Sequence, residues 1–365
     1  VTTPTPAPDR AVEPLLDWTA AAQLAGRLAR PGLTAPRAEL ADLVDGLRSA
    51  AGTAVEHVLT TTRMTPGAGR APEDLGDVHV VDRATWARAN LTSMRTMTEP
   101  VARSLAPEAV TTSSAARLAG AAEVGALLAL LSGRVLGQFD PYGTACGRLL
   151  LVAPNILTTE RALDLRPRDF RLWVCLHEQT HALQFAAAPW LADHLGARVG
   201  DLLQDVATGS VRMVKAPLRD KLAVAGRTVL RAVRGELVTP LDELLSAAQR
   251  QELAEITAVM ALLEGHADVM MDAVGRRVVP TVRTIRARFE KRRSGEGAPT
   301  LDAVLRRVLG MEAKLAQYRD GAAFVRGVEG RVGRDGLNAV WSSPEHLPSS
   351  REIHDPRAWV RRVHG

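Results

Sequence analysis

The residues best suited to do chemistry are His177, Glu178 and His181, which form a His-Glu-x-x-His run. Positions four apart on a helix share one face, so His177 and His181 can place two imidazole nitrogens on one metal ion. Glu178 lies beside them and can take a proton from a water held at that ion. The chemistry open to such a set is metal-assisted hydrolysis, with Glu178 as catalytic base.

Five residues are a common pattern, and their surroundings have to carry it. A helix can start just after Pro167, with Asp169 or a neighbour as cap, and Pro189 is a stop signal. Leu172, Cys175, Leu176, Leu183 and Ala186 give it an apolar face, so an amphipathic and mostly buried helix is expected. The plainer alternative is a buried helix whose two histidines are merely hydrogen-bonded.

A zinc ion, the cofactor these ligand types suit, needs a third protein ligand and an open position. One known arrangement adds a glycine three residues and a histidine six residues after the second histidine. Here those positions are Gln184 and Ala187, which excludes it. Another uses a glutamate on a later helix. Glu264 lies within a long apolar run, flanked by Leu262, Leu263 and Ala267, where a carboxylate is costly unless paired or metal-bound. Asp268 follows one turn later and could accept the second ring N–H of His177 or His181, orienting it. His266 is the second candidate ligand, and otherwise a core or supporting histidine; it sits about 200° around the helix from Glu264. An exposed polar stripe is the ordinary alternative for Glu264 and Asp268.

The elements that must position these groups read as mainly helical. The 365 residues can bury a large core, as one domain over 15–365 or as two subdomains, 15–200 and 201–365, around a cleft. Residues 1–14 read as a disordered tail, with no signal-peptide pattern. The most apolar window, 118–137, is broken by Glu123 and Arg134 and is expected to be a buried core helix, too short for a membrane span. A strand is expected at 149–153 and a weaker one at 78–81, with a turn at 138–143 between the helix ending near 137 and the first of these strands. Ser246 with Gln249, or Thr239 with Asp242, can start the apolar helix that carries Glu264. Residues 294–299 read as a linker loop. Trp341 and Trp359 would strap the C-terminal segment onto the body.

Net charge is +5, modest for this length, and the arginine-rich stretch 276–293 reads as a solvated helix face; nucleic-acid binding is not expected. Cys146 and Cys175 form no Cys-x-x-Cys pair. A cytoplasmic protein without membrane association is the resulting expectation.

Several stretches together resemble a known family. They are Leu-Leu-Val-Ala-Pro-Asn at 150–155, the motif helix from Phe170 to His181 with Gln184 and Phe185, Pro189-Trp190-Leu191, Leu263 to Asp268, and Trp341 with Pro344, Glu345, Leu347 and Pro348. The combination resembles the actinobacterial zincin-like metallopeptidase type 2 family, one branch of which is named as associated with coenzyme F420 biosynthesis. The resemblance implies a zincin-like, mainly α (α+β) fold with a small sheet beside the motif helix. In zincins a strand near the active-site helix aligns the peptide substrate along its edge, and 149–153 is placed for that role if its edge is free; an ordinary core strand is the equal alternative. The F420 label implies genomic association; no glycine-rich phosphate loop accompanies it.

The expected function is therefore a zinc hydrolase, most simply a metallopeptidase acting on a peptide or protein. His177, His181 and Glu264 would be its ligands, Glu178 its base, and Asp268 and His266 their supports. His194, His266 and Tyr142 are candidates for stabilising an oxyanion. The alternative is a zincin-like scaffold or binding protein that keeps the metal without turnover.

Overall fold

The structure, a computed structural model, describes residues 16–67, 69–71, 75–105, 113–215, 245–293 and 311–365. The N-terminal tail, the alternative helix start at Thr239–Asp242 and the expected loop at 294–299 lie outside these residues.

Most of the described chain is helix. Helix α1 (Trp18–Leu28) is capped by Asp17, whose carboxylate accepts from the Ala20 amide at 2.9 Å. Helix α2 (Arg37–Thr62) ends at Arg63 in a left-handed conformation. Strand β1 (Asp77–Val81) leads into α3 (Arg83–Leu105), and Ser113 caps α4 (Ser114–Ser132). Strands β2 (Gly137–Asp140) and β3 (Arg148–Val152) then run into α5 (Ala153–Ala162). The motif helix is α6 (Pro167–Ala187), followed by α7 (Leu191–Lys215). Helix α8 (Ala247–Ala273) carries Glu264 and opens on the Ser246/Gln249 capping box. Helices α9 (Val282–Arg293) and α10 (Met311–Leu337) precede short 3-10 turns and α11 (Pro356–His364).

The fold is mainly α with a small mixed sheet, as the sequence implied. The sheet order is β1-β3-β2, with β1 parallel and β2 antiparallel to β3. Strand β3 is therefore central, paired on both sides. This rules out a free edge at 149–153, and the core-strand reading holds: the edge strands are β1 and β2, and β2 is formed partly from residues expected to be a turn. The reason is long-range. Asp140 is buried and takes hydrogen bonds from Ser93 of α3 (2.6 Å) and from Arg148 of β3 (2.9 Å). Asn90 and Gln138 exchange amide hydrogen bonds at 3.0 and 3.1 Å. These contacts hold the segment extended in a way local turn propensity does not foresee.

Side chains alternate across a strand, and β3 uses both faces. Leu149 and Leu151 enter a large core shared by α2, α6, α8, α9, α10 and the C-terminal segment. Leu150 and Val152 enter a smaller core with α1, α3 and α4. Trp341 and Trp359 are buried in the large core, and the indole N–H of Trp359 donates to the His346 carbonyl at 2.7 Å.

Helix α4 departs from expectation. It buries Ala121, Gly125, Leu128 and Ala129 but leaves Leu118 (55%), Leu127 (44%) and Leu130 (40%) exposed, so it is not a buried core helix. Among the described residues it is the one helix apolar and long enough, by composition and length alone, to cross a bilayer. Its packed face is the small-residue one: a Cβ on Gly125 would sit 2.8 Å from the Ala21 carbonyl oxygen. The leucines consequently face away from α1.

Helix α6 runs through the large core. It starts at Pro167 itself, and Asp169 does not cap it. The Asp169 carboxylate instead accepts from the backbone N–H (3.0 Å) and hydroxyl (2.7 Å) of Thr281, tying α6 to the start of α9. Helices α8 and α10 meet at two glycines. A Cβ on Gly265 would lie 2.1 Å from the Gly321 carbonyl carbon, and one on Gly321 would lie 1.8 Å from the Ala261 oxygen. That contact seats α10 against the turn of α8 next to Glu264.

Candidate metal centre

His177 and His181 project from one face of α6, as a four-residue spacing requires. Their rings stand edge to face, 4.7 Å between centroids, with the two Nε2 atoms 3.1 Å apart. Glu264 reaches in from α8, its Oε2 lying 3.3 Å from His177 Nε2 and 3.5 Å from His181 Nε2. Among the described residues these three form the group of His, Cys, Asp and Glu side chains close enough to share one ion. The buried Oε2 has no partner with hydrogen-bond geometry. A carboxylate oxygen and two imidazole nitrogens thus face a common point, the donor set expected of a metal site. Side-chain exposures of 23%, 12% and 24% for His177, His181 and Glu264 leave the cluster partly open to solvent.

The electrostatics are those of opposite charges held close. Burial pushes the Glu264 carboxyl up, but His181 and His177 outweigh it and hold it well below the usual carboxylate range. Burial pushes the His181 imidazole down, and Glu264 and Glu178 more than reverse this, raising it to about 9. A proton and a metal ion would compete for these same nitrogen and oxygen atoms.

Glu178 lies beside this cluster and packs against β2. It is buried, and burial pushes its carboxyl up although His177, His181 and a backbone hydrogen bond from Phe139 favour the ionised form. Gly137 makes room for it: a Cβ there would lie 2.7–2.8 Å from Glu178 Cγ, Cδ and Oε1. The strand edge and the base are therefore packed directly on one another.

The supporting residues differ from expectation. Asp268 accepts no ring N–H from a site histidine; it pairs with Arg286 at 2.5 Å. The Nδ1 of His181 meets Gln184 Oε1 at 2.9 Å instead. His266 is fully buried and lies outside the three-residue group, with its Nδ1 3.0 Å from Gln184 Nε2 and its ring edge-on to Trp341 at 5.2 Å. Burial first, then His181 and Arg334, lowers it to about 3. His194 stacks edge-on with Trp190, and the Tyr142 hydroxyl donates to the Ala192 carbonyl at 2.9 Å. Gln184, Gly137 and the Phe139 amide are the neighbours that sequence reasoning missed.

The family model of zincin-like metallopeptidases matches residues 16–360, nearly the whole chain. The chain belongs to the zincin-like metallopeptidase family. A solved structure from Chloroflexus aurantiacus, described as a presumed hydrolase with a novel fold, is similar at 27% identity. Its TM-score is 0.63, over 96% of this chain and 99% of that one. No curated protein matches. Membership of the zincin-like family and the structural likeness together support a hydrolase of the zincin type, a class that implies a bound metal, and the His177–His181–Glu264 group has the donor chemistry for one.

Proposed function

We propose that this zincin-like protein is a zinc-dependent peptidase whose ion is held by His177, His181 and Glu264, with Glu178 as general base. The observation that carries the proposal is the convergence of two Nε2 atoms on the buried, partnerless Oε2 of Glu264. Zinc in such a site supplies Lewis acidity toward a carbonyl and its attacking water. The chain's own contribution is at Glu178. Its carboxylate takes the proton of the attacking water and returns it to the leaving amine. Burial raises its proton affinity above that of an ordinary carboxylate, while the Phe139 amide fixes its direction. The substrate class is a peptide or protein.

Metal analysis of the purified chain, with hydrolysis of a peptide library by wild type and Glu178→Gln, tests this. The expected result is about one zinc per chain in both, and turnover lower by roughly 10²–10⁴ in the variant. A wild type that binds no zinc, or a variant as active as wild type, ends the proposal. Zinc content without turnover in the wild type would identify a metal-keeping scaffold instead.

A further inference from the structure

We infer that Gln184 is a positioning residue for the metal centre: its amide fixes which nitrogen of His181 carries hydrogen and joins the two helices that supply the ligands. The Leu263 carbonyl can only accept, so the Gln184 group facing it at 2.9 Å is the NH₂. That turns Oε1, an acceptor only, toward His181 Nδ1 at 2.9 Å. Nδ1 therefore carries a hydrogen. The lone pair of the neutral ring is left on Nε2, the atom 3.1 Å from His177 Nε2 and 3.5 Å from Glu264 Oε2. The second amide hydrogen meets His266 Nδ1 at 3.0 Å, so His266 accepts there and keeps its own hydrogen on Nε2.

One backbone oxygen thus sets the polarity of the whole chain of contacts. Gln184 and His266 are both fully buried, so water does not compete for these groups. Leu263 directly precedes Glu264. A single α6 side chain therefore touches the ligand His181 on its own helix and the backbone beside the ligand Glu264 on α8. A carboxylate at 184 could not do this, having no donor for Leu263 or for a neutral His266. An amide also raises the basicity of its histidine less than a carboxylate partner would.

The consequence for metal binding rests on the function proposed above; the proton assignment does not. Nitrogen-15 NMR of the full chain labelled at its nine histidines tests the assignment, first metal-free above about pH 9, where the His181 ring is neutral, and then with zinc. The expected result is hydrogen on His181 Nδ1 in both states and on Nε2 alone in His266; the opposite assignment at either ring overturns the inference. Chelator competition should show zinc bound about 10–100-fold more weakly by Gln184→Leu, and also by the same-shaped Gln184→Glu. Wild-type affinity in either folded variant overturns it. If the wild type binds no zinc, the proposed function falls while the metal-free spectrum still decides this point. If a variant does not fold, the wild-type spectrum decides.

Discussion

Two turns of α8 carry carboxylates in opposite condition. At Asp268 and Asp272 the acid is matched by Arg286, which contacts Asp268 at 2.5 Å and Asp272 at 2.8 Å and lies over the Trp173 ring at 5.5 Å. At Glu264, one turn earlier, no arginine or lysine approaches among the described ion pairs, and the inner oxygen has only the two imidazoles near it. Both turns pack against α6, and the chain had a guanidinium within reach of this face. Neutralising one turn internally and leaving the next to histidines is the pattern of a structural clamp beside a cation site. Zinc should therefore stabilise the fold through one turn only. At zinc a hundredfold above Kd the wild type should gain about 2.7 kcal/mol. Glu264→Ala should lose nearly all of that gain, and Asp268→Ala should keep it. Equal zinc-induced shifts in Tm for Glu264→Ala and wild type would erase the distinction between the turns.

The converse change is expected to be smaller and to fall on stability. Arg286→Ala leaves Asp268 and Asp272 without their shared donor; Asp268 is mostly shielded from water, whereas Asp272 is exposed and keeps Arg326 at 4.0 Å. A loss of about 1–3 kcal/mol is expected, read as a lower urea midpoint with zinc stoichiometry unchanged. If this variant loses zinc instead, the clamp and the cation site are one unit and the comparison is drawn in the wrong place.

How much of this was legible depended on how local the cause was. The histidine pair needs only helical spacing, and Glu264 was found from the cost of a carboxylate in an apolar run. The same argument placed Asp268 on the same face but could not see Arg286, on α9, arriving to take it. Gln184 was visible as the wrong residue for a glycine position and as part of the family resemblance, but not in its role; its work depends on Leu263 and His266, far along the chain. Strand β2 read as a turn because Asp140 becomes a buried anchor only once Ser93 and Arg148 are beside it. For α4, composition reported apolarity but not direction: close approach through Gly125 turned the small residues inward and left Leu118, Leu127 and Leu130 out.

Glu178 is a third carboxylate, and it sharpens the comparison because it resembles neither turn. It is buried with no cation of its own beyond the site histidines, and its direction is set by the Phe139 amide and the space that Gly137 leaves. The three atoms a methyl group at 137 would press on first all belong to the Glu178 side chain, which can yield. Gly137→Ala should accordingly leave the zinc-induced Tm shift intact and change the urea midpoint little. It should lower kcat by about tenfold, equivalent to about 1.4 kcal/mol, with KM nearly constant. A loss of zinc would mean that β2 holds the ligands as well as the base. Unchanged turnover would mean that the orientation of Glu178 against the strand edge is incidental to catalysis.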